Sequence, residues 1–168
     1  MITRLQHLGV VVKDLGAVCQ MFEELFGLRC QDIRSTESGG KMLDARIMLG
    51  DDCWIHLMQN WNPESRYYKM LEKAGKTVLL EHLCFESDDI EADVEHLKNC
   101  GAKAYNDKIY DARDGYEVFF LPDQNPTGDL LGVTVELIQP HPTSRGYHGP
   151  ISEEEIEKKQ AGAHGEHS

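Results

Sequence analysis

The apolar opening of the chain ends in the β-branched run Val10-Val11-Val12, so residues 2–12 read as a strand. Asp14 suits a helix N-cap. After it Leu15, Val18, Cys19, Phe22 and Phe26 recur at helical spacing, and Gly27 supplies a stop. Apolar runs at 28–35, 43–49 and 53–59 read as three strands. Ser38-Gly39-Gly40 separates the first two, and Gly50-Asp51-Asp52 turns between the second and third. This is a βαβββ unit over residues 1–62. Residues 63–77 form a linker predicted to be helical, with Pro63 in its first turn after Asn62 and Gly75 at its end. A second unit spans 78–140. It has a strand from about 78, a helix from about Asp89 to Cys100 with Ile90, Val94 and Leu97 on one face, and strands near 102–106, 116–121 and 130–138. The loop from Pro122 to Asp129 is long for a hairpin and is a candidate for shaping the mouth of a cleft. Residues 141–168 hold few apolar side chains and are expected to be a largely disordered tail. Within it Ser152 and Glu155 resemble a capping box for a short helix near 153–160.

The two units also repeat in their chemistry. His7 opens His7-Leu8-Gly9-Val10-Val11-Val12-Lys13-Asp14, and His82 opens His82-Leu83-Cys84-Phe85-Glu86-Ser87-Asp88-Asp89. In each, a His precedes an Asp by seven residues, and the following helix stops at Gly27 or Gly101. Such a repeat predicts an α+β fold, with two paired βαβββ modules forming a curved mixed sheet around a cleft. The closing strands hold matching ionisable residues, His56 and Glu136, within apolar surroundings. Side chains alternate across a strand, so His56 shares a face with Trp54 and Met58, and Glu136 with Thr134 and Ile138. A pseudo-twofold packing of the units would bring His7, His56, His82 and Glu136 together. Three imidazoles and one carboxylate suit one borderline divalent ion such as Zn, Co, Ni, Mn or Fe. With neutral imidazoles such a site keeps a formal single positive charge and favours an anionic ligand. Two ordinary readings compete. A single strand His is more often just hydrogen-bonded or exposed, and Glu136 could pair with an Arg of a facing strand such as Arg46.

Composition narrows the partners. A chain of 168 residues with 40% hydrophobic content builds one domain, or two half-domains sharing a core. The formal net charge of -12 argues against nucleic acid or an anionic membrane, which need a basic face. No stretch approaches a bilayer span, and residues 1–12 do not form a signal peptide. The five cysteines are odd in number and lack a CxxC, which reads as reduced thiols in a cytoplasmic protein.

The pattern resembles the vicinal oxygen chelate superfamily (glyoxalase/bleomycin resistance/dioxygenase), built from paired βαβββ modules, over about residues 2–140. Pro63-Glu64-Ser65, Lys69-Met70-Leu71, Gly75, and Glu81-His82-Leu83-Cys84-Phe85-Glu86 with Asp88-Asp89-Ile90 are most similar to methylmalonyl-CoA epimerases. Gln59-Asn60-Trp61 is faintly similar to lactoylglutathione lyases. The resemblance implies that His7, His56, His82 and Glu136 hold one divalent ion per site. His56 departs from the family pattern, since the epimerases usually show Gln there and the lyases Glu.

The resemblance further implies a metal-dependent epimerase or isomerase acting on a carbon next to a carbonyl, through an enolate stabilised by the metal. Its substrate would be an acyl-CoA, or a sugar or cyclitol ketone, although the acidic balance does not favour the phosphates of CoA. Glu136 is the candidate base, because family carboxylate ligands can leave the metal. Glu37, before the third strand, is a candidate for the acid on the opposite face. A small-molecule substrate and a homodimer are expected. An Fe(II) dioxygenase would use His7, His82 and Glu136, with His56 in a place that oxygen or substrate would need. A lactoylglutathione lyase-like enzyme is another alternative. The complete ligand set argues against a non-enzymatic small-molecule binder. Trp54, Met58 and Phe120 are candidates for pocket lining or core. His96 should face solvent, as should His141, His148, His164 and His167 of the tail.

Overall fold

Asp14 and Asp89 hold the same place in the two repeats and act alike. In this computed structural model, which describes residues 1–35, 41–112, 114–125 and 132–141, each is a helix N-cap. The Asp14 carboxylate accepts from the Ala17 amide at 2.9 Å, and that of Asp89 from the Ala92 amide at 3.1 Å. The elements are β1 (Ile2–Val12), α1 (Leu15–Phe26), β2 (Cys30–Ser35), β3 (Met42–Met48), β4 (Trp54–Asn60), α2 (Arg66–Ala74), β5 (Val78–Ser87), α3 (Ile90–Asn99), β6 (Tyr110–Asp111), β7 (Gly115–Phe120) and β8 (Thr134–Pro140). Gly27 ends α1 in the left-handed conformation, φ 68°, which glycine adopts without strain.

The eight strands form one mixed sheet in the order β2-β3-β4-β1-β5-β8-β7-β6. β1 runs parallel to β4, and β5 parallel to β8, while β1 and β5 join the halves antiparallel. Each half buries one face under its own helix. Val12, Leu15, Ala45, Ile47 and Leu57 form the core at α1, and Ile90, Val94, Ala104, Val118, Phe120 and Leu137 the core at α3. The period of two then dictates what the other face carries. On β4, Ile55 and Leu57 pack toward α1, so Trp54, His56 and Met58 point into a cavity. On β8, Val135 and Leu137 pack toward α3, so Glu136 and Ile138 point into the same cavity.

Several sequence expectations are corrected. The strand near 102–106 is instead a 3-10 turn at Tyr105–Asp107, followed by the two-residue β6. Asn106 and Asp107 take positive φ there, 55° and 51°, which breaks an extended run. Helix α2 is capped by Ser65, whose hydroxyl accepts from the Tyr67 amide at 3.2 Å, so Pro63 lies outside it. Strand β8 starts at Thr134 rather than 130, after Gly132 at φ 64°. Cys19 and Cys30 are not reduced thiols but a disulfide. The first half of α1 and the start of β2 bring their Cα atoms to 5.5 Å, within bridging range. Cys53, Cys84 and Cys100 are free. The loop bearing Glu37, residues 126–131 of the long hairpin, and the tail beyond residue 141 with its expected helix lie outside the described residues. Among those described, no helix is long and apolar enough to cross a membrane.

Candidate metal centre

Strand register builds the site. On β1 and β4, His7 pairs with Trp54 and Gly9 with His56. On β5 and β8, His82 pairs with Thr134 and Cys84 with Glu136. In both modules the closing-strand residue therefore lies beside the position two after the opening His. Between the modules, His7 pairs with Cys84, Gly9 with His82, and Leu8 with Leu83. A pseudo-twofold axis thus passes at the Leu8–Leu83 pair, exchanging His7 with His82 and His56 with Glu136.

The four side chains converge as this symmetry requires. Nε2 of His7 lies 2.9 Å from Nε2 of His82. Oε2 of Glu136 lies 3.2 Å from His82 Nε2 and 3.8 Å from His7 Nε2. His7, His56 and His82 each bring a ring nitrogen within 4.8 Å of the others. Arg46 does not pair with Glu136. Its Nη2 donates to Asp114 at 2.8 Å, and its guanidinium lies 5.1 Å from the Trp54 ring.

Neighbours that the sequence reading passed over orient the ligands. Gln6 Oε1 lies 3.1 Å from His7 Nδ1, and Glu81 Oε2 lies 2.6 Å from His82 Nδ1. Such contacts fix which ring nitrogen faces inward. The signal was visible as a polar residue before each repeat His, but adjacent strand residues normally point apart. The irregular β1–β5 pairing, which shifts between Leu5 and His7 and between Gly9 and Val10, changes that rule locally. Glu81 is anchored in turn by Thr134, whose hydroxyl donates to it at 2.8 Å, and by Arg66 of α2 at 2.7 Å. On the other side, Asp44 Oδ2 stands 3.6 Å from His56 Nε2 and accepts from Arg34 at 2.8 Å.

Burial and charge set the protonation states. Burial, helped by His82, His56 and Arg46, holds the His7 pKa well below the ordinary imidazole value. Burial also lowers His56, with Asp44 working in the opposite direction. At His82 burial again opposes the charge, but the Glu81 hydrogen bond and the Glu136 carboxylate prevail and raise the pKa. Burial raises that of Glu136. Cys84 shares a 4.8 Å group with His7 and Glu136, yet burial and nearby carboxylates push its thiol well up, and it faces Gln6 at 3.9 Å.

The cavity holds ≈ 200 Å³ and is lined by both modules, with Arg34, Arg46, Trp54 and His56 from one and Glu117, Phe119 and Glu136 from the other. Met58 lines it as well. Of the two alternatives for Phe120 the core holds, since Phe120 packs under α3, while Phe119, the residue registered against Glu136, lines the cavity. Glu117 is a second missed acid. Burial, with Glu136 and Asp114 nearby, pushes its carboxyl up to about 8. His96 is exposed as expected, whereas His141 makes a 2.9 Å hydrogen bond to the Ala112 carbonyl.

The donor set fits a borderline divalent ion. Three imidazoles lie with ring nitrogens within 4.8 Å of one another, the Glu136 carboxylate stands 3.2 Å from one of them and 3.8 Å from another, and two of the imidazoles have their far nitrogens engaged. The buried Nε2 of His56 makes no hydrogen bond, with Asp44 Oδ2 at 3.6 Å, and so keeps a lone pair that an ion can use.

Comparison with known proteins agrees with this architecture. A profile of the Glyoxalase/Bleomycin resistance protein/Dioxygenase superfamily matches residues 6–120. The Bacillus subtilis protein YwbC, itself uncharacterized, is 28% identical over 133 residues, 78% of this chain and 96% of that one. The mitochondrial methylmalonyl-CoA epimerase of Mus musculus is 27% identical over 136 residues, 81% of this chain and 72% of that one. The methylmalonyl-CoA epimerase of Mycobacterium tuberculosis superposes with a TM-score of 0.69 at 22% identity, over 84% of this chain and 90% of that one. A Streptomyces coelicolor methylmalonyl-CoA epimerase in complex with 2-nitronate-propionyl-CoA gives 0.70 at 20% identity, over 83% and 99%. With two βαβββ halves joined at β1 and β5 and a family profile covering most of its length, the chain belongs to the Glyoxalase/Bleomycin resistance protein/Dioxygenase superfamily.

Proposed function

We propose that this protein is a metal-dependent epimerase or isomerase acting on a carbon next to a carbonyl. The observation that carries the reading is the convergence of His7, His56, His82 and Glu136 from four strands into one cavity. A divalent ion held by these four would supply Lewis acidity toward a substrate carbonyl, making its α-hydrogen acidic. The chain supplies the rest. Gln6 and Glu81 hold the His7 and His82 rings in place. Trp54, Met58 and Phe119 give the cavity apolar walls that limit water. Glu136, raised by burial, takes the α-proton. The names of the mouse and Streptomyces relatives favour an acyl-CoA as the first substrate to test.

A second reading is an Fe(II) dioxygenase using His7, His82 and Glu136 as a 2-His-1-carboxylate set. The fourth donor at His56 counts against it, because it takes a position that oxygen or substrate would need.

The test combines metal content with hydrogen exchange. The purified protein is expected to hold about one divalent ion per chain. His7→Ala, His82→Ala and Glu136→Ala should each lose most of it, and His56→Gln should keep it. In D2O, one of methylmalonyl-CoA, an α-hydroxyketone sugar or cyclitol, or the hemithioacetal of glutathione and methylglyoxal should exchange its α-hydrogen in a metal-dependent way. Oxygen-dependent turnover of a catechol with no exchange on any of these compounds would reverse the assignment.

A further inference from the structure

The cavity walls differ at positions that the pseudo-twofold makes equivalent. Arg46 registers against His56, and Phe119 registers against Glu136. Arg46 belongs to a cluster with Arg34, Asp32, Asp44 and Asp114. We propose that this cluster selects a small polyhydroxylated ketone, a sugar or cyclitol ring, and holds one of its hydroxyls between Arg34 and Asp114. The inference rests on the isomerase reading for the reaction and names the substrate class.

Three members of the cluster are sealed in. The side chains of Asp32 and Asp44 are 4% exposed and that of Arg46 is 6% exposed. They hold the other two in place. Asp44 accepts from Arg34 Nε at 2.8 Å, and Arg46 Nη2 donates to Asp114 at 2.8 Å. Asp32 Oδ2 lies 3.6 Å from Arg34 Nη1. Arg34 and Asp114 keep 18% and 38% of their side chains exposed, and both line the cavity. Their facing atoms, Arg34 Nη2 and Asp114 Oδ2, stand 3.7 Å apart, too far for a hydrogen bond. A hydroxyl seated at that gap accepts from the guanidinium and donates to the carboxylate, so one group satisfies both. Asp44 also stands 3.6 Å from His56 Nε2, so the cluster adjoins the candidate metal ligands.

Charge decides among the candidate substrates. Two guanidiniums face three carboxylates, so the cluster carries a formal excess of negative charge and gives a substrate carboxylate or phosphate no attraction. An ionised carboxylate also has no proton to donate to Asp114. A methyl group or a thioester placed here would take water from Arg34 and Asp114 and return no full set of hydrogen bonds, which is costly for charged groups. A ring bearing hydroxyls avoids both penalties. Phe119 and Ile138, from the other module, offer an apolar surface to its C–H face. The cavity of ≈ 200 Å³ is below the roughly 300–1,000 Å³ of sites for drug-sized ligands, which suits a single small ring.

Binding and exchange test the two levels separately. The probes are a fully hydroxylated cyclitol ketone, α-hydroxycyclohexanone as the same ring with a single hydroxyl, and methylmalonyl-CoA. Titration calorimetry on the metal-loaded protein measures binding, and α-hydrogen exchange in D2O measures the reaction. The wild-type protein should bind the cyclitol ketone about 10²-fold more tightly than α-hydroxycyclohexanone, the scale of lost hydrogen bonds to charged groups. It should also exchange the cyclitol ketone in preference to methylmalonyl-CoA. Asp114→Ala, at the most exposed member of the cluster, should cut the preference between the two rings by about tenfold or more. The comparison of rings on the wild-type protein decides even where that variant fails to fold. Equal binding of the two rings, or an undiminished preference in Asp114→Ala, would overturn the proposal. Exchange of methylmalonyl-CoA in preference to the cyclitol ketone would overturn it and leave the isomerase reading standing. Binding with the expected preference but no exchange on any probe would sink the isomerase reading and leave the ligand class assigned by this wall in place.

Discussion

Gly9 is the seat of the His82 ring. A Cβ at position 9 would lie 2.0 Å from Cε1 of His82, and 2.2 and 2.3 Å from its two ring nitrogens. The register that pairs Gly9 with His82 across β1 and β5 creates this close approach. Only a residue without a side chain lets the imidazole lie flat over the neighbouring strand.

Gly9→Ala should therefore push the His82 ring out of the cluster while leaving the sheet paired. Metal affinity should fall by at least the 10–100-fold typical of disturbed ligand orientation. Competition with a chelator, followed by metal analysis, measures it. Wild-type affinity in Gly9→Ala would show that the ring has another place to go.

Glu81 holds His82 from behind, at 2.6 Å from Nδ1, and is itself held by Thr134 and Arg66. Glu81→Ala should weaken metal binding by about 10–100-fold without removing a ligand. Metal-dependent stabilisation against urea should shrink with it, since a ligand at 100 times its Kd adds about 2.7 kcal/mol. Equal stabilisation in the variant and the wild type would remove Glu81 from the site.

Glu117 should give the metal-free protein a pH-dependent stability of defined sign. Its carboxyl titrates at about 8 when folded, against an ordinary 4.5. Between those values the folded chain holds a proton that the unfolded chain has lost. The stability it confers is complete below the lower value and is lost as pH rises through the upper, with a slope of at most about 1.4 kcal/mol per pH unit. Urea unfolding at several pH values should show Glu117→Gln gaining on the wild type toward about pH 8. A difference independent of pH would mean that this carboxyl titrates normally.

The Cys19–Cys30 bridge closes a short loop, 11 residues apart in sequence, between α1 and β2. Cys19→Ser should lower stability by about 3 kcal/mol without reductant and change little with it. The same loss under both conditions would assign the effect to packing around Cys19 rather than to the bond.

Much of this architecture is carried by local pattern. The repeat of His, capping Asp and helix stop announced two like modules, and both Asp residues cap their helices because capping depends on a few adjacent positions. Alternation along β4 and β8 placed His56 and Glu136 on the cavity face, since the period of a strand is independent of what it pairs with. Local pattern misled at 102–106, where Asn106 and Asp107 adopt left-handed backbone. It left Phe120 open between pocket and core, and the register of the facing strand decides for the core.

Tertiary structure decided everything that depends on which strands meet and in what register. The seat of His82 on Gly9, the hold of Glu81 on His82, the Arg46–Asp114 pair between the modules and the diagonal register of Glu117 with Glu136 are of this kind. The Gly9–His82 and Arg46–Asp114 contacts join residues about seventy positions apart. Glu81 can reach its own neighbour only where the β1–β5 pairing is irregular. A shift of one residue in that pairing would take the His82 ring off Gly9 and turn His7 and His82 to opposite faces of the sheet. The composition of the strands tolerates either face, and the packing of the two modules against each other selects one.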